Sequence, residues 1–345
     1  LDVTPEELPE NDQEFAFTFT MNDVQADENA HERKKYIDVE DLKAMAISSG
    51  EGLSLSTVEE NKYIYRGANP DNYIMLGEDM YRMISIEPDN TVKVVKNSSI
   101  GMILFDAGKR KPDGVTTTRN QPSGTTDYFC NKIVTGYGYI GCNAWGSSST
   151  TLNENGTHVS TAGRQALPDT DAYLNIYLNG GTYYEVTLPG WYSTLPADVK
   201  NVIVEHLFNI GLPLSEKTLS ENISDEKLYQ WMGKIAIMSA TDYAQANSDI
   251  DNCGNVSKSS RIGRIIDNCK DTNWLKNHAR SVLVSGVSNV ISSGHLYMIL
   301  EQYIDDSYKP DTDYETYPSF YLTSSLKLTG EGTESNPYQL YQPSH

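Results

Sequence analysis

The chain is poor in cysteine, histidine and phenylalanine, with four, six and seven copies in 345 residues. No CxxC pair occurs, which argues against a zinc knuckle or a thioredoxin-like redox motif. No run of about 18 apolar residues exists, so no segment reads as a membrane-spanning helix. Glu205-His206 is not part of an HExxH pair, and no GxSxG elbow is present. The stretch "GMILFDAGKR" has the wrong spacing for a phosphate-binding loop and carries Arg110 where Ser or Thr is required. A dinucleotide glycine fingerprint is also missing. Positive charge is scarce: 27 Lys and Arg stand against 47 Asp and Glu, for a net charge of −20. Such a field repels phosphate backbones and anionic lipid surfaces, so nucleic acid and membrane are poor partners. It suits a solvated exterior and leaves divalent cations open.

What the chain has in quantity is tyrosine, 23 copies. Tyr suits half-wet strand faces and binding surfaces. The length admits one large domain with a smaller module, with a sizeable core. The cysteines fall into two local pairs, Cys130 with Cys142 and Cys253 with Cys269. Proximity favours those two pairings, and each closed loop contributes about 3 kcal/mol in the chain-entropy model. Two local bridges fit an oxidising, exported setting, with four buried thiols as the alternative. The chain opens on Leu1, read as a trimmed or mature form without its export signal or anchor.

Residues 1–60 read as an N-terminal strap or small module: an acidic Pro-containing start, one alternating strand in "FAFTFTM", and a short helix in "DVEDLKAMAISSG" stopped at Gly50. Residues 61–345 read as the main domain. It begins with an antiparallel meander, "KYIYRG", "NYIML", "DMYRMISIE" and "NTVKVVK", separated by turn-rich spacers. In the third strand Tyr81, Met83 and Ser85 oppose Arg82, Ile84 and Ile86. Residues 106–168 form a long irregular loop, which in a compact domain points to function or disorder. Helices are predicted in "TDAYLNIYLNGG", in "LPADVKNVIVEHLFNIG" up to Gly211, in "SDEKLYQWM" from Ser224, and in "SATDYAQAN" from Ser239 with Asp242 completing a capping box. Strands return at "SVLVSG", "HLYMILEQY", "SFYLTSSLKLT" and "PYQLYQ". The order strands, helices, strands gives an α+β fold. In the closing hairpin, Gly330 and Gly332 permit positive φ, and Tyr338 and Leu340 share one face.

Four blocks, over roughly residues 62–340, carry a resemblance. "YIYRGANPDNYIMLGEDMYRMISIEPDNTVKVVKNSSIG" is similar to "fxGxxxNNYVxFxgxxWRIIxIxxDGTIKLI". "WMGKIAIMSATDYAQAN" is similar to "GKIGLMSxSDYxYA". "NWL" followed by "SVLVSGVSNVISSGHLY" resembles a late Trp and a Ser-rich strand. "SFYLTSSLKLTGEGTESNPYQL" resembles "RPVLYLKSxVKITxGxGTxxNPYxL". Together they resemble a poorly characterised family of exported proteins of Gram-positive gut bacteria. Two departures are Tyr81 in the place of the family's Trp, and "YPSF", with Pro318 displaced, in place of "RP". The resemblance implies a surface or pilin-associated role and a fold of the C-type-lectin-like or formylglycine-enzyme-like kind. It supplies no catalytic residue.

The ligand-binding candidates lie in the irregular loop: Tyr137, Tyr139, Trp145 and Asn143, rigid aromatics among small polar residues. A loop packed on its own body is the equal alternative. Cys142 with His158 as a thiol–imidazole pair is outweighed by the disulfide. In "DIDNCGN", Asp249, Asp251 and Gly254 fit the first offsets of a calcium loop, but Cys253 and Arg261 break the pattern. An irregular calcium site stays open, and no other cofactor is expected. His206 reads as a core or edge residue of its helix. The expected protein is an extracellular, non-catalytic, adhesin-like binding module for a glycan or protein of a host or neighbouring cell. The alternatives are a filament subunit assembling through its N-terminal region and an extracellular hydrolase.

Overall fold

The computed structural model describes residues 35–106, 133–134, 138–139, 142–146, 151–152, 171–183, 186–211, 219–253, 269–286, 296–300 and 303–343. The chain divides into two compact units, Leu1–Lys35 and Tyr36–His345. Only the second is described below.

The fold is mixed α+β, mostly strands in open sheets with few, short helices. The main sheet has 11 strands. Its centre is the expected meander: Tyr63–Arg66, Tyr73–Leu76, Asp79–Ile86 and Val92–Lys96. Asp79–Ile86 pairs antiparallel with the other three. Val92–Lys96 then receives Ser319–Leu322, which in turn holds Ile203–Val204 and Ile235–Ala236. Asp79–Ile86 is buried on both faces, and its alternation shifts register between Met83 and Ser85. Tyr81 and Met83 enter the larger core, Ile84 enters a second cluster, and Ile86 returns to the first. A bulge inserts one residue, so parity reverses beyond it.

The closing hairpin does more than end the chain. Lys327–Thr329 pairs antiparallel with Tyr338–Leu340, which pairs parallel with Tyr73–Leu76. Gly330 and Gly332 take φ of +97° and +77°, as expected, with Glu331 N–H donating to Asn336 C=O at 3.0 Å. A side chain at Gly332 would start 2.3 Å from the Tyr338 ring and 2.7 Å from the Asp71 carbonyl oxygen.

Two strands from residues 36–60 belong to this same sheet. Ile37–Asp38 lies on Lys327–Thr329, and Gly52–Leu55 lies on Tyr63–Arg66. The helix Val39–Ala44 is started by a capping box between Asp38 and Asp41 and ends at Met45, before Gly50. A second sheet of five strands runs Tyr303–Tyr308, Leu296–Leu300, Ser281–Gly286, Asp313–Glu315, Met102–Leu104.

Two predicted helices are corrected. The helix from Ala197 ends at Val202, and Ile203–Val204 and His206–Asn209 are strands. The β-branched run Val202-Ile203-Val204 favours extended backbone once Ser319–Leu322 offers a partner edge. The helix expected from Ser224 instead runs Leu219–Glu226, and Gln230–Gly233 is a strand. Ser224 sits inside it, its hydroxyl donating to the Ser220 carbonyl at 3.1 Å, so it is not a cap. The helix Tyr173–Asn179 forms as expected, and Ala240–Gln245 has both capping-box bonds of Ser239 and Asp242.

Candidate functional site

Two of the four candidates in the aromatic loop, Trp145 and Asn143, are core residues. Trp145 and Asn143 are both 0% exposed. Trp145 packs edge-on to Phe105 and Trp231 at 5.9 and 5.8 Å. Its carbonyl accepts from Ala172 N–H and Asn175 Nδ2. The segment is pinned where the Asp106 carboxylate accepts the Cys142 N–H at 2.7 Å. Trp145 is therefore a core residue with no face for a ligand. Tyr137 lies outside the described residues, and Tyr139 ends the short strand Gly138–Tyr139. Cys142 and Cys253 are buried and neither is a free thiol. Cys130 lies outside the described residues, and Cys269 opens a short turn, Cys269–Thr272. Asp249 precedes the short helix Ile250–Cys253, and its Oδ1 accepts the Asn252 N–H at 3.4 Å and the Asn252 side-chain amide at 3.0 Å.

Charge converges elsewhere, in a pocket of about 320 Å³. Its floor comes from the outer face of Val92–Lys96. Val92 and Val94 fill the larger core, while Lys93 points the other way and is buried. Lys93 Nζ meets Asp242 Oδ2 at 2.7 Å, beside the rings of Tyr321 and Phe208. The same Asp242 oxygen accepts the Ser239 N–H at 2.7 Å, so the cap that starts the helix also anchors the pocket's cation. Lys62 bridges Glu59 at 3.0 Å and Glu87 at 3.3 Å, and Lys227 reaches Glu59 at 2.8 Å. At the mouth, His206 stacks on Tyr321 with centroids 3.8 Å apart, and its Nε2 lies 3.2 Å from Asp89.

The electrostatics follow from these partners. Burial alone would raise Glu59, but Lys62 and Lys227 outweigh it and hold its carboxyl down at about 2. Burial pulls Lys62 down, and Glu87 and Glu59 more than reverse this, raising it. Asp89 is lowered because hydrogen bonds from Thr91 and the neighbouring His206 outweigh its burial. Glu226 is the exception. Burial drives its carboxyl up to about 7, and its Oε1 accepts from the Thr241 N–H at 3.3 Å and from Ser285 Oγ at 2.8 Å. Next to it, the buried hydroxyl of Thr241 has no hydrogen-bond partner.

Sequence reasoning missed this cluster because its charges sit inside strands and on loops that look solvated. Two signals were there: "SATDY", already singled out for its capping box, and Lys93 set between valines in "TVKVVK". His206 does sit at an edge, on a strand instead of a helix.

No family model, curated protein or solved structure matches the chain. Among the described residues no group of three or more His, Cys, Asp or Glu is placed to hold a metal ion. No helix among them is long and apolar enough to cross a membrane.

Proposed function

We propose that the protein is an exported surface module that binds a small hydroxyl-rich ligand, a glycan terminus of a neighbouring or host cell, in the charged pocket. The observation that carries this reading is the state of the pocket's groups. Glu59, Glu87 and Asp242 are already neutralised by lysines, and one buried hydroxyl, Thr241, is left without a partner. Fixed, paired charges of this kind accept and donate hydrogen bonds to neutral hydroxyls without rearranging, which is what a preformed binding site requires. The absence of free thiols at Cys142 and Cys253 supports export, and pairing with Cys130 and Cys269 belongs to the same proposal. Ile37–Asp38 pairing with Lys327–Thr329 brings the early and late strands together, which supports a C-type-lectin-like architecture.

The test is a glycan array probed with the full chain and with Thr241→Val. Val keeps the shape and removes only the unpartnered hydroxyl. Retained binding by the variant, or no glycan bound by either protein, overturns the reading.

Glu226 favours one second reading, a hydrolase in which a carboxyl held at about 7 donates a proton. Turnover of a panel of nitrophenyl glycosides, lost in Glu226→Gln, would support it over simple binding.

A further inference from the structure

A second pocket, of about 390 Å³, lies between the Gly52–Leu55 strand and the closing hairpin. It differs from the charged pocket in every respect that matters for recognition. Met45 and Ile47 form an apolar wall, 52% and 37% exposed. Tyr65 and Tyr338 line it, each only 4% exposed, and neither hydroxyl has a hydrogen-bond partner among the described residues. Glu51, Asp71 and Glu331 stand around them, and no Lys, Arg or His lines the space. None of the three carboxylates forms an ion pair among the described residues. Asp71 is close enough to both tyrosines to oppose ionisation of their hydroxyls.

The Asp71 wall is held from behind. Arg82, buried between the rings of Tyr73 and Trp274 at 4.1 and 4.5 Å, donates to Asn72 Oδ1 at 2.7 Å and to the Pro70 carbonyl at 3.0 Å. The turn that carries Asp71 is thus fixed before any ligand arrives. Gly332, next to Glu331, packs against both Tyr338 and the Asp71 carbonyl, where any side chain would strike the Tyr338 ring.

We propose that this pocket binds a primary alkylammonium group, either a free amine or the lysine side chain of a partner protein. Three unpaired carboxylates and two buried hydroxyl acceptors satisfy the ammonium. The apolar wall and tyrosine rings cover its aliphatic stem and supply cation–π attraction. A hard metal ion is a poor fit, because it requires six or more oxygens and gains nothing from Met45 or Ile47.

Calorimetric titration of the full chain with N-acetyl-lysine methylamide, with n-butylamine and with N-acetyl-norleucine methylamide tests the assignment. Both amines should saturate one site, and the uncharged norleucine probe should bind at least tenfold more weakly. Asp71→Asn should weaken the amines by about tenfold or more, the scale of one charge-assisted hydrogen bond. Tyr65→Phe should weaken them several-fold, and Thr241→Val, in the other pocket, should leave them unchanged. The Asp71 side chain has no bond within the fold, so its removal leaves folding intact, as a thermal melt will check. Tighter binding of the lysine amide than of butylamine assigns the site to a protein side chain. The reverse order assigns it to a free amine. Equal binding of norleucine, unaltered binding by Asp71→Asn, or stoichiometric displacement by calcium overturns the proposal.

Discussion

Two buried groups, Glu226 and His278, should hide each other's pH dependence. Glu226 has its carboxyl pushed up from 4.5 to about 7 by burial. The folded state therefore holds a proton that the unfolded chain releases. Its stabilising contribution is full below pH 4.5 and is lost as pH rises to 7. His278 behaves oppositely. Burial, reinforced by the Arg82 charge, lowers it from 6.5 to about 4. Its contribution is full above pH 6.5 and is lost as pH falls to 4. Each term changes by about 1.4 kcal/mol per pH unit. Between pH 4.5 and 6.5 the two slopes cancel, and wild-type stability should be nearly flat. Glu59 and Asp89, both lowered, act below that window.

Glu226→Gln keeps an oxygen to accept from Thr241 and Ser285 while removing the titration. It should expose the histidine term, with stability rising by about 2.7 kcal/mol from pH 4.5 to 6.5. His278→Gln should expose the glutamate term, with stability falling by a similar amount. Urea unfolding at half-unit pH intervals measures both. If Glu226→Gln has the same slope as the wild type across this window, Glu226 is not held neutral by burial and the reasoning fails.

Other expectations follow from individual contacts. Lys93→Met should cost about 3–5 kcal/mol by stranding the buried Asp242 carboxylate, while Lys93→Met with Asp242→Asn should recover most of it; denaturant midpoints decide. Thr241→Val should leave stability unchanged or slightly higher, because the lost hydroxyl bonds nothing, and a drop of about 1 kcal/mol or more would reveal a hidden partner. Trp145→Ala should cost about 3–5 kcal/mol as a large core truncation, and a marginal loss in a thermal melt would return Trp145 to the surface. Gly332→Ala should destabilise by about 1–2 kcal/mol through its positive φ alone, with the Tyr338 clash adding to that; an unchanged melt would contradict the turn geometry.

The meander, the Ser239–Asp242 cap and the closing hairpin were legible in the sequence because each rests on local chemistry: alternation, a side-chain cap, a glycine turn. The stretch from Ile203 was not, because its helical spacing is real and only the distant edge of Ser319–Leu322 converts it to strand. Trp145 misled for a related reason. Gly, Ser and Asn around an aromatic look like a binding loop, yet the same small residues let a backbone press close to a core tryptophan, and Gly146 meets the Trp231 ring. The charged pocket was invisible because Lys62, Lys93, Glu59 and Glu226 are ordinary residues until Lys93 and Asp242, 149 positions apart, are brought together.

The seating of the last strand between Lys327–Thr329 and Tyr73–Leu76 also sets a clock. A chain growing from a ribosome has its meander early but lacks the strands that flank it on both sides. Tyr321 walls one pocket and Tyr338 the other, so neither pocket is complete until these late strands have docked on the meander.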